Sequence, residues 1–321
     1  RTLRSLEQLG YPAYEIIVVD GSRCSETADV VRDGFAGIRY FHVGGHGKCV
    51  ALNVGIGAAR GTIAAFTDDD VRVDRYWLAE LVAAFDDDRI ACVTGLALPM
   101  ELQTRAQLWF EESGGFTSGF EPRTIGLDLP REPGSLLPYA TGKIGAGVNM
   151  AWRTQTLRDL GGFDVALETL SPPWPPGAGH GTAAEDLAAF FDALVAGQRI
   201  AFEPGAVVFH EHRRTYDELA AQLYWHGIGL SAYVTRCLAT RPALIPSFLR
   251  RVPRGLAYGF GGSSPRNRQK SADFPRALTF AEWRGAMVGP LAYVKGLSVA
   301  RRIRAAQAEG PGIALSGSAS Q

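Results

Sequence analysis

Cysteine and long apolar runs are scarce in this sequence, and charge of neither sign dominates it. The four cysteines lie far apart in 321 residues, without a C-x-x-C pair or zinc-like spacing, which indicates reduced thiols in a cytoplasmic protein. No run of 18 apolar residues occurs, and the most apolar stretch, 285–294, is interrupted by Pro290, so a transmembrane helix is not expected. The 46% apolar content is that of a globular chain and excludes disorder as the main state.

Equal numbers of basic and acidic residues, 33 of each, hide an uneven distribution. Residues 241–304 hold 13 Lys/Arg and two acids, a surplus of +11, so the rest of the chain carries −11. Nucleic acid is not an expected partner, because no nucleic-acid-binding module accompanies the charge. The basic segment mixes arginine with apolar residues, which predicts contact with an anionic membrane surface at about 1 kcal/mol per Lys/Arg. A solvated helical subdomain that packs on the acidic body is the alternative.

Strand-like and helix-like stretches alternate along the first hundred residues. Residues 15–20 form an apolar run that ends in an acid, which is typical of a parallel strand buried on both faces. Further strands are predicted at 38–43, 62–67 and 90–94, and helices at 25–35, 48–59 and 76–85. The repeated β-α-β order predicts an α/β fold with a doubly wound, mostly parallel sheet. Residues 2–9 have the pattern of a helix end, so we expect the first strand to be truncated.

Three acids, Asp68, Asp69 and Asp70, directly follow the strand predicted at 62–67. Ligands of open α/β sheets bind at the carboxyl ends of the strands, and a divalent cation shared with substrate phosphates is a common way to offset carboxylates there. A turn in which an aspartate caps a helix is the alternative. A second acidic triplet, residues 86–88, follows a helix and precedes a strand, so we interpret it as a solvated turn at the opposite edge.

Asp20 and Lys48 are predicted at the same edge of the sheet as the first triplet. Asp20 ends a strand and can accept a hydrogen bond from a nucleoside, although a turn acid is the simpler interpretation. The glycines at 44–47 before Lys48 do not fit a P-loop, which needs glycine where His42 stands and Ser or Thr where Cys49 stands. A glycine turn that opens a helix can still approach a phosphate or ribose.

Glu185 and Asp186 fall in the first turn of a predicted helix. Thr182 and Glu185 have the spacing of a capping box, which explains Glu185 but leaves Asp186 without a capping role. Asp186 comes just after residues 170–183, a Gly/Pro-rich loop, where a general base could reach a bound hydroxyl. The positive end of the helix dipole favours its ionised form. A second capping acid is the alternative for Asp186.

These motifs, taken in order over about residues 1–230, resemble family 2 of the inverting nucleotide-sugar glycosyltransferases, which have the GT-A fold. The matching segments are a nucleoside-binding strand at 15–22, a signature helix at 48–61, a D-x-D metal motif at 68–70 followed by Trp77 and Leu78, an acceptor-side signature at 147–164, an E-D motif at 185–186 and a late histidine, His210. Gly21 departs from the family, which commonly has a second acid there.

The resemblance implies a role for each matched residue. It makes Asp186 the base, assisted by Glu185. Nucleotide-sugar contacts are expected from Asp20, Lys48, Asn53, Asp68 and Asp69. Mg²⁺ or Mn²⁺ is expected on Asp70, Asp68 and His210, and acceptor contacts are expected from Asn149, Arg153, Asp164 and Trp174. A buried strand-end histidine is the alternative for His210, and a surface arginine is the alternative for Arg153.

The implied activity is metal-dependent, inverting transfer of a sugar from a nucleotide diphosphate sugar to a hydroxyl of a saccharide or lipid-linked acceptor. Residues 222–225 lack the arginine of the Q-x-x-R-W motif of processive members, which favours a non-processive enzyme. We expect a nucleotide-sugar half at 1–100, an acceptor half with the catalytic loop at 101–215, a helical basic segment at 216–309 and a disordered tail at 310–321. The location would be cytoplasmic, peripheral to the cytoplasmic face of the membrane.

Two other functions remain open from the sequence. A sugar nucleotidyltransferase shares the fold class and the metal-binding acids, but it would carry a Gly-rich N-terminal signature with a basic residue, which this chain does not show. A non-catalytic nucleotide-binding module is compatible with Gly21 and with the expected loss of the first strand.

Overall fold

A computed structural model describes the chain in six stretches, namely residues 1–44, 46–116, 119–131, 133–167, 184–262 and 264–309. The expectations for Trp174, for the loop at 170–183 and for the tail at 310–321 lie outside the described residues.

Eight strands form two sheets in the described residues. They are β1 (Ile17–Asp20), β2 (Arg39–His42), β3 (Ile63–Thr67), β4 (Val71–Val73), β5 (Ile90–Pro99), β6 (Arg123–Ile125), β7 (Asn149–Arg153) and β8 (Arg199–His210). β1 and β2 pair in parallel, while the larger sheet has the order β3-β7-β5-β8-β4 with β6 beside β8. The helices and the first three strands predicted over the first hundred residues match these elements to within two residues at their ends, whereas β5 continues five residues past the predicted end at 94 and β4 was not predicted.

Strand directions bring the functional residues to one edge. β5 and β8 pair in parallel, and β7 lies antiparallel between β3 and β5. β3, β5 and β8 therefore run in the same direction, and their carboxyl ends meet at one edge. The intervening β7 makes the sheet a mixed one, because its antiparallel pairing separates two strands that run the same way. The predicted α/β class and the C-terminal helices are confirmed.

Helices alternate with the strands and make up the C-terminal part of the chain. They are α1 (Thr2–Leu6), α2 (Glu26–Gly34), α3 (Lys48–Ala58), α4 (Trp77–Ala83), α5 (Arg105–Glu112), α6 (Thr154–Asp159), α7 (Glu185–Val195), α8 (Tyr216–Thr240), α9 (Ile245–Phe260), α10 (Pro265–Arg268) and α11 (Arg276–Glu309). Capping boxes begin α5 and α8, with Thr104 and Thr215 as the capping residues.

The core between α7 and the sheet holds the start of α7 at the functional edge. Phe190 stacks on Trp152 of β7 with ring centroids 5.9 Å apart, and both side chains are fully buried. Phe191, on an adjacent face of α7, packs against Tyr233 of α8. Because α7 is packed on two faces, Glu185 and Asp186 in its first turn have a fixed position. No helix in the described part of the chain has the length and apolarity to cross a bilayer.

Candidate functional site

Asp68, Asp70 and His210 converge at the carboxyl edge of the sheet. Oxygen and nitrogen atoms of the three side chains all lie within 4.8 Å of one another. Strand pairing explains why, since Val71 of β4 lies opposite His210 in the antiparallel ladder with β8. The backbone N–H of Glu211 also donates to the Asp70 carbonyl at 3.0 Å. Asp70 is thereby held beside a histidine 140 positions later in the chain.

The donor set fits a divalent cation. Asp70 Oδ1 is buried without a hydrogen-bond partner among the described residues and lies 3.4 Å from His210 Nε2. Burial, with the carboxylates of Asp68 and Asp69, raises the pKa of Asp70 to about 6. Burial and the adjacent His212 lower the pKa of His210 to about 4, which leaves a neutral imidazole. Carboxylate oxygens with one imidazole nitrogen suit Mn²⁺ or Mg²⁺, with the imidazole favouring the transition metal.

A chain of hydrogen bonds behind the cluster orients His210. The Glu111 carboxylate accepts from His212 Nε2 at 2.8 Å, and His212 Nδ1 lies 3.0 Å from His210 Nδ1. With its proton on Nε2, His212 accepts at Nδ1, so His210 carries its proton on Nδ1. The lone pair on His210 Nε2 then faces Asp70 Oδ1. Two electron-rich atoms that face each other repel unless a cation lies between them, and such outer hydrogen bonds are typical behind metal-binding histidines.

Sequence reasoning missed Glu111 and His212. The His-x-His spacing at the end of β8 was the available signal for His212, since it lies two residues after His210. Glu111 lies in α5, about a hundred positions earlier, and no local pattern connects it with the cluster.

Lys48 joins the cluster to the acids of α7. Its Nζ lies 3.0 Å from Asp68 Oδ1 and 3.2 Å from Glu185 Oε1. Burial alone would lower the pKa of Lys48, but the two carboxylates raise it well above its usual value. Burial would raise the pKa of Asp68, but the Lys48 ammonium lowers it below its usual value. Lys48 therefore stays charged and keeps Asp68 ionised.

The Asp186 carboxylate accepts two backbone hydrogen bonds. Gly147 N–H donates to Oδ2 and Leu187 N–H to Oδ1, both at 2.7 Å. Burial and the Glu185 carboxylate raise the pKa of Asp186 to about 6, against the opposing effect of Lys48 and of the two N–H groups. A Cβ at residue 147 would lie only 3.1 Å from that of Asp186, so glycine permits this close approach. A carboxylate with this pKa suits proton transfer near neutral pH.

Glu185 is buried and serves the ion pair with Lys48. Its side chain is 3% exposed, and Oε2 accepts from the N–H of Ala184 at 3.1 Å. Ala184 is the residue that precedes α7, and no side chain caps the helix there. The capping box predicted with Thr182 involves a residue outside the described ones. Glu185 thus acts on Lys48 and Asp186 through its charge.

Asp20 lies at the end of β1, where it has hydrogen-bond partners separate from those of the cluster. It accepts from Tyr40 OH at 2.7 Å and from the Ser22 N–H at 2.7 Å. Burial opposes ionisation, but these hydrogen bonds lower the pKa of Asp20. A Cβ at Gly21 would lie 2.5 Å from the His46 carbonyl oxygen. The backbone therefore has no room for the second acid that family 2 commonly carries at this position.

Asn53 and Asp164 both form contacts within the protein. Asn53 exchanges two hydrogen bonds of 2.8 Å with the backbone of Phe163. Asp164 pairs with Arg236 of α8 at 2.7 Å. Both predicted ligand-binding residues thus connect the loop after α6 to neighbouring helices, and their polar atoms are engaged in these contacts.

Asn149, Arg153 and Asp69 have very different surroundings. The Asn149 amide is fully buried, donates to the carbonyls of Leu96 and Ala206, and accepts from Trp77 Nε1. Asn149 lies opposite Thr67 in the ladder and Arg153 lies opposite Ile63, so the arginine is at the far end of β3 from the cluster. Its guanidinium donates to the Ile90 carbonyl at 2.9 Å. Asp69 is exposed beside the cluster.

Residues 1–141 match the family described as Glycosyl transferase family 2. The chain is similar to the pre-mycofactocin glycosyltransferase of Mycobacterium tuberculosis, with 26% identity over 232 residues, which cover 72% of this chain and 44% of that protein. It is also similar to the glucosyl-dolichyl phosphate glucuronosyltransferase of Haloferax volcanii, with 24% identity over 229 residues, covering 69% and 67%. The chain therefore spans less than half of the Mycobacterium protein.

One solved structure similar to this chain is a mannosyltransferase from Pyrobaculum calidifontis in complex with GDP-Man and Mn²⁺. The TM-score is 0.46 and the identity 18%, over 97% of this chain and 71% of that one. The resemblance to family 2 that the motifs indicated is confirmed by the family match over residues 1–141.

Proposed function

Residues 1–141 match the model of glycosyl transferase family 2, and from this premise we propose that the protein transfers a sugar from a nucleotide diphosphate sugar to an acceptor hydroxyl. The observation that carries the proposal is the salt-bridged Lys48, which joins the Asp68–Asp70–His210 cluster to the acids at the start of α7. A cation site for a diphosphate and a candidate proton acceptor are thereby adjacent. Transfer with a diphosphate leaving group can use the cation to stabilise that group and the proton acceptor to activate the hydroxyl.

The donor side of the site is built from Asp68, Asp70 and His210. These residues would hold Mg²⁺ or Mn²⁺, which when bound neutralises the charge that develops on the departing diphosphate. Lys48 adds a fixed positive charge beside Asp68. Asp20 and Asp69, at the same edge, are proposed to contact the nucleoside and the donor phosphates.

Asp186 is proposed to be the general base. As the acceptor oxygen attacks the anomeric carbon, its proton passes to the Asp186 carboxylate, and the bond from that carbon to the diphosphate oxygen breaks. One displacement of this kind inverts the anomeric carbon. The N–H groups of Gly147 and Leu187 hold the carboxylate in place before the reaction. A positioned base is typically worth about 10²–10⁴ in rate.

A lipid-linked or saccharide acceptor and a single, non-processive transfer complete the proposal. The lipid-linked class is supported by the Haloferax relative, a glucosyl-dolichyl phosphate glucuronosyltransferase. The surplus of +11 at 241–304 provides the charge for an anionic membrane surface as a partner. We propose acceptor contacts near the start of α7 and keep Trp174, Asn149, Arg153 and Asp164 as predicted positions to be tested.

Turnover of nucleotide sugars with Mn²⁺ tests the proposal. We expect the wild-type protein to release nucleoside diphosphate, and Asp186→Asn to lose about 10²–10⁴ in rate while calorimetry shows unchanged donor binding. Asp86→Asn is the matched control, since Asp86 belongs to the acidic triplet at the opposite edge and is exposed. Near-normal turnover by Asp186→Asn would remove Asp186 as the base, and no turnover of any donor would contradict the transferase.

A further inference from the structure

Helices α8 and α11 approach each other too closely for ordinary side chains. A Cβ at Gly227 would overlap the Glu282 carbonyl, and a Cβ at Gly285 would overlap the Tyr224 carbonyl. A Cβ at Gly289 would overlap the Ser231 hydroxyl in the same way. The face of α11 that carries these glycines is therefore fixed against α8. The opposite face points away from α8.

That opposite face carries a continuous apolar stripe. Phe280, Met287, Leu291 and Val294 are 58%, 76%, 59% and 58% exposed. Their spacing of seven, four and three residues places them on one side of the helix. With a rise of 1.5 Å per residue, the stripe is about 21 Å long. Single exposed apolar residues are ordinary, whereas a contiguous row marks a contact surface.

Basic residues accompany the stripe. Arg284 and Lys295 are exposed along its length, and Arg301 and Arg302 are exposed beyond its end. Glu282 is the only acid between residues 276 and 305, and it pairs with Arg266 at 2.5 Å. The outward face of α11 is therefore apolar and positively charged.

Helix α9 repeats the pattern of exposed apolar and basic residues. Ile245, Leu249 and Leu256 are exposed on α9, together with Arg250 and Arg254. On the inner side of α9, the ring of Phe248 packs 5.2 Å from that of Tyr139. Tyr139 in turn packs on Phe191 of α7, with ring centroids 6.2 Å apart. The helix with the second stripe is thus connected by packing to the helix that begins with Glu185 and Asp186.

We propose that the outward faces of α9 and α11 bind the surface of an anionic lipid bilayer. The stripes would lie among the acyl chains near the headgroups, while the arginines and lysines contact lipid phosphates. A second copy of the chain is a poor occupant, because a self-complementary contact would bring the basic flanks together. Membrane binding itself does not depend on the proposed function. Only the role of the bilayer, which would supply a lipid-linked acceptor, rests on it.

Co-sedimentation with vesicles of equal parts phosphatidylglycerol and phosphatidylcholine tests the inference. We expect the wild-type protein to bind these vesicles and to bind phosphatidylcholine vesicles at least about tenfold more weakly, since each basic side chain near an anionic surface contributes about fivefold. Leu291→Asp should weaken binding by about tenfold or more. Val30→Asp is the matched control, because Val30 is 58% exposed on α2, outside the basic segment. Thermal midpoints verify that both variants are folded.

Three outcomes of the vesicle experiment overturn the inference. Failure of the wild-type protein to bind anionic vesicles contradicts it, and so does equal loss of binding in the two variants. A wild-type dimer that Leu291→Asp converts to a monomer, without vesicle binding, would assign the face to a second copy. Donor turnover without vesicles is measured in parallel: vesicle binding without turnover would contradict only the proposed transferase, and turnover without vesicle binding would contradict only this inference.

Discussion

Asp186 combines an environment that favours its neutral form with hydrogen bonds that favour its charged form. Its pKa of about 6 reflects burial and the Glu185 charge, partly offset by Lys48 and two N–H donors. A general base must be ionised to accept a proton, so activity is expected to fall when pH drops below this pKa. An ordinary aspartate, with the reference pKa of 3.8, would lose activity only in stronger acid.

The first prediction concerns this pH dependence. Below pH of about 6, kcat/KM should fall by about tenfold per pH unit, because each unit reduces the ionised fraction of Asp186 by that factor. The measurement is a pH profile with saturating Mn²⁺ and a stability check at each pH. A profile that stays flat into the range of an ordinary aspartate would show that Asp186 does not limit the reaction.

The second prediction concerns Glu111, which acts on the cation site through His212. Glu111→Ala removes the acceptor for His212 Nε2–H. The position of the proton on His212, and through it that on His210, is then no longer fixed. Loss of such an outer partner typically weakens metal binding by about 10–100-fold. Calorimetry of Mn²⁺ binding measures the change directly. Glu112→Ala is the matched control, because Glu112 bonds to Ser271 instead; equal affinity in the two variants would refute the positioning role.

Among the secondary-structure elements, the contact between α8 and α11 depends on glycine. In Gly285→Ala, the new methyl group meets the Tyr224 carbonyl of the opposing backbone, which cannot rotate away. We expect a loss of about 1–3 kcal/mol in the free energy of unfolding. Denaturant titration measures it.

Gly255→Ala provides the control for that third prediction. Gly255 lies in α9, and a Cβ there would have open space around it. Alanine should therefore stabilise α9 by about 0.5–1 kcal/mol through its better helix propensity. Equal effects of the two substitutions would mean that α11 does not pack on α8 as described.

At the level of the whole molecule, cation binding should couple to folding stability. A cation that binds only the folded chain stabilises it by about 2.7 kcal/mol at a hundredfold excess over Kd. For a chain of this size, that raises Tm by several degrees, at roughly 2 °C per kcal/mol. EDTA should reverse the shift.

The fourth prediction is that Asp70→Asn abolishes this Mn²⁺-dependent shift in Tm. Asp70 Oδ1 has no hydrogen-bond partner among the described residues. Without a cation, its charge therefore does not stabilise the fold. Removing that charge could even raise Tm in the absence of metal. Asp86→Asn, exposed at the opposite edge, should keep the shift. A full Mn²⁺ shift in Asp70→Asn would exclude Asp70 as a ligand.

The sequence by itself predicted the α/β class, the strand that ends before Asp68 and the helix that begins with Glu185. These features depend on local patterns, namely apolar runs, strand ends and helix starts, which are set within a few residues. It also predicted the family resemblance, since the motifs occur in order along the chain. That resemblance also implied a cation shared by Asp68, Asp70 and His210, which stays a prediction.

Only the tertiary structure decided which side chains meet. Lys48 lies between Asp68 and Glu185, and Gly147 donates to Asp186, although these partners are tens of residues or more apart in sequence. The Asn149 amide, whose predicted acceptor contact stays a prediction, forms three buried hydrogen bonds. Such contacts depend on how β7 inserts between β3 and β5 and on how α7 packs across them. Packing of this kind sums many weak, long-range interactions, which no local pattern records.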